Sequence, residues 1–338
     1  MILVIWYIFK KMENKFYSIK ERVNYMKKAI IFLSIACVSV FCFYLVLENK
    51  KSSSAVSEVQ TQIDQNVKSD YSQESDSEKF SWGYNALSIE EVQKNYKVFG
   101  ENVSIAILDT GISKHQDIKI KGGINIIDKS LSYEDDNGHG TFLAGIISNI
   151  SPMAEIYAVK VLKEDQTGTY EGIASGIDWA IENNIDVILM SFGGMKDSVV
   201  LKNAIRKAYD ENIILIASTG NTALSNNIIT YPAKYQEVIA VGAITKENKT
   251  WIGSNTGEEV TTMAPGHKVL STMNDGTYST QSGTSLAAAH IAGSIALCKS
   301  YNRELVNDEV KQIVFKAYSN KTPDGYGIFS LIEAIKHF

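Results

Sequence analysis

From Trp82 to the C-terminus, short apolar runs alternate with stretches whose apolar residues recur at three- and four-residue intervals. The runs Val103 to Leu108 (VSIAIL), Glu155 to Leu162 (EIYAVKVL), Asp186 to Met190 (DVILM), Ile213 to Ala217 (IILIA) and Val238 to Ile244 (VIAVGAI) predict strands. Tyr170 to Asn184 and Ser198 to Asn212 have the interval of helices lying on a sheet. This βαβ rhythm predicts an α/β fold with a mainly parallel sheet covered by helices, in which chemistry collects at the carboxyl ends of the strands.

The pattern before Trp82 is different. Residues 29–47 (AIIFLSIACVSVFCFYLVL) carry no charge and are numerous enough to cross a bilayer. Met26-Lys27-Lys28 supplies a positive start, so residues 26–48 predict an export signal or membrane anchor with the rest of the chain outside. An uncleaved anchor is preferred, because small residues are scarce until Ser53-Ser54-Ala55. Residues 1–25 read either as an extension upstream of an initiator at Met26 or, through MILVIWYIF, as a segment on a membrane surface. Residues 49–80 are polar and rich in Ser, Gln, Asp and Glu, a predicted disordered linker. The folded domain is expected over 81–338.

Charge narrows the partners. A net charge of -5, with no basic cluster interleaved with aromatics beyond the N-terminal region, predicts no nucleic-acid partner. Of three cysteines, Cys37 and Cys42 lie in the apolar run, which leaves Cys298 alone in the domain. That excludes a disulfide framework or thiolate metal site there and predicts a buried small residue on a helix.

Four polar residues sit where strands end or helices begin. Asp109 leaves an apolar strand in Asp109-Thr110-Gly111, either as a turn residue before glycine or as a carboxylate that needs a partner. His139 lies between glycines in Asn137-Gly138-His139-Gly140-Thr141, ahead of FLAGII, which reads as the first turn of a buried helix. A dinucleotide loop is not indicated, since Leu143 stands where a small residue is required. Ser285 opens the helical run after Gly283-Thr284, as a cap or as a nucleophile favoured by the helix dipole. His290, five residues on, projects from another face and is not its base. Asn221 follows the strand IILIASTG, as a turn residue or as a donor to an oxyanion.

With YAVKVL (Tyr157 to Leu162), MSFGG (Met190 to Gly194), YPAKY (Tyr231 to Tyr235), APG (Ala264 to Gly266) and GTSLAAAH, these residues resemble the subtilisin-like serine proteases from about Trp82 to the end. The resemblance implies a three-layer sandwich with helices on both faces of the sheet. It also implies a serine endopeptidase that cleaves extended peptides through an acyl-enzyme, with Asp109, His139 and Ser285 catalytic and Asn221 in the oxyanion hole. Ser191, Phe192 and Gly193 would pair with the substrate backbone, and Gly168 to Tyr170 would form the opposite wall. Phe192 and Tyr170 would line an apolar subsite, with Thr222 and Thr230 at the rim and base of the primary pocket. No cofactor is required. Some lantibiotic leader peptidases are subtilisin-like, so one expectation is removal of a leader from a secreted peptide. A rival expectation is a catalytically weak or dead subtilase fold that binds peptides at the surface.

Two departures accompany the resemblance. The Asn-rich calcium loop common after the histidine is missing, because Ser148 to Pro152 runs almost directly into the next strand. A calcium ion held partly by Asp117 is therefore not expected. Leu286, Ala288 and Ala289 also stand where the family usually has Met and Ser-Pro.

Overall fold

The computed structural model describes residues 82–338. The expected anchor, the segment before it and the whole of the linker lie outside these residues. Among the described residues no helix is long and apolar enough to cross a membrane.

Each apolar run forms a strand within a residue or two of the expected limits. Strands β1 (Ser104–Asp109), β3 (Glu155–Lys160), β4 (Val187–Met190), β5 (Ile214–Ser218) and β6 (Ile239–Ile244) are buried almost throughout. They are joined by β2 (Ile120–Asn125), β7 (Thr262–Pro265), β10 (Tyr318–Lys321) and β11 (Gly327–Phe329). Among the described residues these make one nine-stranded sheet in the order β10-β11-β7-β6-β5-β4-β1-β3-β2. Every pairing is parallel except β10 with β11. A hairpin of β8 (Val269–Thr272) and β9 (Tyr278–Gln281) stands apart from it.

Two short helices, α1 (Trp82–Ala86) and α2 (Ile89–Tyr96), precede β1. Successive strand residues point to opposite faces, and both faces are covered. Ile105, Ile107, Leu189 and Ile216 enter one core with α3 (His139–Ile150) and α6 (Thr284–Tyr301). Ala106, Leu108, Ile188 and Ala217 enter the other with α4 (Tyr170–Glu182) and α5 (Val199–Asp210). This is the three-layer sandwich. The runs read as continuous rather than alternating because neither face meets water.

Local chemistry sets the helix ends. Thr169 accepts from Gly172 N ahead of α4, and Ser198 accepts from Leu201 N ahead of α5. Both helices are followed by asparagines in the left-handed region, Asn184 and Asn212, which end them short of the periodic stretch. Helix α6 is buried from Thr284 to Lys299, as a helix apolar all round must be.

Helices α3 and α6 pack backbone to side chain. A Cβ on Gly293 would stand 2.9 Å from Ile150 Cβ, and Ser151 Oγ donates to Gly293 O at 2.6 Å. Gly293→Val is therefore expected to destabilise the fold by about 1–3 kcal/mol through overpacking. A thermal midpoint equal to that of the wild type would show that the two helices have room to separate.

Candidate active site

Asp109 is the last residue of β1, with β3 and β4 on either side. Its side chain is fully buried, and burial of a carboxylate demands compensation. Oδ1 accepts from Thr110 N at 2.8 Å and meets His139 Nδ1 at 2.8 Å. Oδ2 is buried with no protein partner. The carboxylate can only accept, so Nδ1 carries the proton and Nε2 is left as the free base.

His139 is the first residue of α3, and its glycines have separate reasons. Gly138 sits at φ 107°, in the region that favours glycine. A Cβ on Gly140 would collide with Gly111 O, so the helix can approach the turn after Asp109 only without a side chain there. The His139 side chain keeps 15% of its surface exposed. Burial pulls its pKa down, but the charge and hydrogen bond of Asp109, with a further contribution from Asp135, carry it above the ordinary histidine value.

Ser285 is the second residue of α6 and is buried. Its hydroxyl donates to Ser191 O at 3.2 Å rather than to His139. Asn221 Oδ1 accepts from Thr284 N at 2.9 Å and from Thr284 Oγ1 at 2.8 Å. An N–H donor can be met only by the amide oxygen, so the orientation of Asn221 is settled and its Nδ2 is free to donate. A Cβ on Gly283 would lie 3.3 Å from that Nδ2, which places the amide at the entry to the Ser285 helix. His290 is excluded as a base. It is buried, its Nδ1 lies 2.8 Å from Leu286 O, and burial lowers its pKa to about 4.

The residues expected to hold substrate lie after β4, at the start of α4 and in the segment from 222 to 230. Ser191, Phe192 and Gly193 follow β4, while Gly168 and Tyr170 flank the start of α4. Tyr170 Oη donates to Lys196 O at 3.0 Å, and Phe192 and Tyr170 pack against the same core. Gly194 and Tyr231 exchange two backbone bonds of 2.9 Å each. The Thr230 hydroxyl sits where a Cβ on Gly193 would collide with it. Thr222 N donates to Asn255 Oδ1 at 2.8 Å, and the buried Asn255 donates back to Ile228 O at 2.7 Å and Thr219 O at 3.2 Å. Asn255, Thr284 and Asp135 were not singled out from the sequence. Asp135 stood in plain view inside DDNGHGT, while Asn255 lies in a stretch with no motif.

The model of the Subtilase family matches residues 100–328. The chain belongs to the Subtilase family. Membership places it among serine-type endopeptidases. This subtilase is 39% identical over 252 residues to Subtilisin DY of Bacillus licheniformis, covering 71% of this chain and 91% of that one. It is 38% identical over 240 residues to the Minor extracellular protease Epr of Bacillus subtilis (strain 168), which is 68% of this chain but only 37% of that protein. Among solved structures it matches the crystal structure of a cold adapted subtilisin-like serine proteinase with TM-score 0.65 and 31% identity, over 70% of this chain and 89% of that one.

The family's calcium ion does not fit the residues present. Asp117 Oδ2 accepts from the Tyr278 hydroxyl, and only Ser151 to Ala154 separate α3 from β3. Among the described residues no group of three His, Cys, Asp or Glu side chains could hold a metal, and calcium takes about six to eight oxygens. A chelator is expected to leave the thermal midpoint unchanged. A clear fall in chelator that added calcium reverses would reveal a site elsewhere.

Proposed function

We propose that this subtilase is an extracytoplasmic serine endopeptidase in which Asp109, His139 and Ser285 act as the catalytic triad. The observation that carries the reading is the 2.8 Å contact from buried Asp109 to His139 Nδ1, which leaves Nε2 as a free base in a chain whose α6 carries Ser285 in its first turn. A rotation of the Ser285 hydroxyl from Ser191 O toward Nε2 prepares the attack, since catalytic hydrogen bonds in free enzymes are often unformed. His139 then takes the proton as Oγ bonds to the substrate carbonyl carbon, and Asp109 stabilises the imidazolium. Asn221 Nδ2 and the Ser285 N–H at the start of α6 receive the oxyanion. The proton passes to the leaving amine, and water releases the acyl group.

The substrate lies extended between Ser191–Gly193 and Gly168–Tyr170 as an added strand. The location outside the cell rests on the apolar run at 29–47 and on likeness to a protease named as extracellular. The reading extends to anchoring by that run and to leader removal from a secreted peptide, a task suited to a tethered enzyme. The rival, a peptide-binding surface protein without activity, has one observation in its favour, the Ser285 hydroxyl resting on Ser191 O.

Full-length protein treated with a fluorophosphonate is expected to be labelled at Ser285 alone. Ser285→Ala should abolish labelling and lower kcat by about 2 × 10⁶, a magnitude taken over from subtilisin itself. A folded wild type that takes no label supports the rival. Because the His139 pKa is raised, and the base must be neutral, the acid limb of kcat/KM should lie above about 6.5. Asp109→Asn removes the largest raising influence and leaves burial, so the limb should move to lower pH while kcat drops about 3 × 10⁴, again the subtilisin value. An unmoved limb would separate Asp109 from the base. Taking Thr230 as the base of the primary pocket, as the resemblance implies, with its hydroxyl against Gly193, a peptide library should show small residues preferred before the cut, and Thr230→Gly should admit larger ones. Indiscriminate cleavage of casein would count against leader removal.

A further inference from the structure

Outside the groups that would meet the substrate, a heavily engaged polar side chain in this region is Asp135. Its carboxylate is 4% exposed and accepts five hydrogen bonds from three segments of chain. Oδ1 accepts from Thr110 Oγ1 at 2.8 Å, Asn137 N at 3.0 Å and Gly138 N at 2.8 Å. Oδ2 accepts from Thr141 N at 2.9 Å and Thr141 Oγ1 at 2.6 Å. Thr110 follows Asp109 directly, Gly138 precedes His139, and Thr141 lies in the first turn of the helix that His139 begins. The same Thr110 hydroxyl accepts from Gly140 N at 3.1 Å. One buried anion thus joins the turn behind the carboxylate to the backbone on both sides of the imidazole.

We infer that Asp135 is a positioning residue for catalysis, a buried carboxylate that sets the separation and orientation of Asp109 and His139 by tying their two turns together. The inference rests on the triad reading above. All five partners are donors, so both oxygens and the negative charge are used, and a neutral amide cannot replace them. An asparagine has one acceptor oxygen and would turn its own N–H toward donors, leaving buried groups unsatisfied. The charge also sits at the start of α3, where a helix N-terminus stabilises an anion. Charged groups facing the junction are Asp109 and His139 on one side, and Lys160 with Asp136 on the other. Lys160 Nζ donates to Thr110 O and, at 2.6 Å, to Asp136 Oδ1, holding the same turn from the opposite side. The negative charge of Asp135 contributes to the upward shift of the His139 pKa.

The test compares full-length wild type, Ser285→Ala and Asp135→Asn on a chromogenic peptide, with kcat and KM followed across the acid limb and folding checked by circular dichroism. Misplacement of reacting groups predicts that Asp135→Asn loses about 10- to 100-fold in kcat with KM near that of the wild type. Its acid limb should also move to lower pH. Should that variant fail to fold, Thr110→Val removes the one hydroxyl that ties Asp135 to the turn after Asp109 and accepts from Gly140 N. It should lower kcat about tenfold, and Thr110→Ser, which keeps the hydroxyl, should restore it. A folded Asp135→Asn, or failing that a folded Thr110→Val, with wild-type kcat and only a lower thermal midpoint overturns the inference while leaving the triad intact. Activity retained in Ser285→Ala overturns the triad reading and this inference with it.

Discussion

A carboxylate with no exposure, at the end of a strand that is itself inside the sheet, is the constraint from which the rest of the molecule can be understood. Asp109 cannot be left unpaired there without a penalty of several kcal/mol. It is met by one imidazole, and that imidazole can reach it only if the start of α3 lies against the turn after β1. The glycine at 140 is the concession that allows the approach. The parallel sheet contributes the other half of the solution, because its adjacent strands β1 and β4 end at the same edge. That edge brings Asp109 near Ser191, on whose carbonyl the Ser285 hydroxyl rests.

The entry to α6 shows a similar economy of contacts. Thr284 donates twice to Asn221 Oδ1 and accepts from Gly220 N at 3.1 Å, so the amide is oriented before any substrate arrives. Donors fixed in advance need no reorganisation as charge develops. Asn255 does the corresponding work for the loop from Thr219 to Ile228, holding both of its ends from a buried position.

What could be read in the sequence divides along physical lines. Strands buried on both faces announced themselves as uninterrupted apolar runs, and β1, β3, β4, β5 and β6 were found that way. The remaining six were silent for reasons visible in the fold. β2 is an edge strand with two glycines, β7 has four residues ending in proline, β9 has no buried residue and β10 is exposed throughout. The triad candidates were legible because reactive residue types stood at element boundaries within recognisable motifs. Asp135 and Asn255 are not marked in the sequence because each joins segments far apart in the chain, Asp135 through the Thr110 hydroxyl and Asn255 through the backbone of the 219–228 loop, and no local pattern records such a contact.

Helix α6 carries Ser285 in its first turn and is buried through almost its whole length against both the sheet and α3. On the proposed triad reading the nucleophile is thus an extension of the hydrophobic spine, and its surroundings exist only once that spine has closed. A half-folded chain has no assembled scissors. For a protein whose unfolded neighbours are themselves cleavable peptides, this couples the onset of cutting to the moment when the cutter is no longer easy to cut.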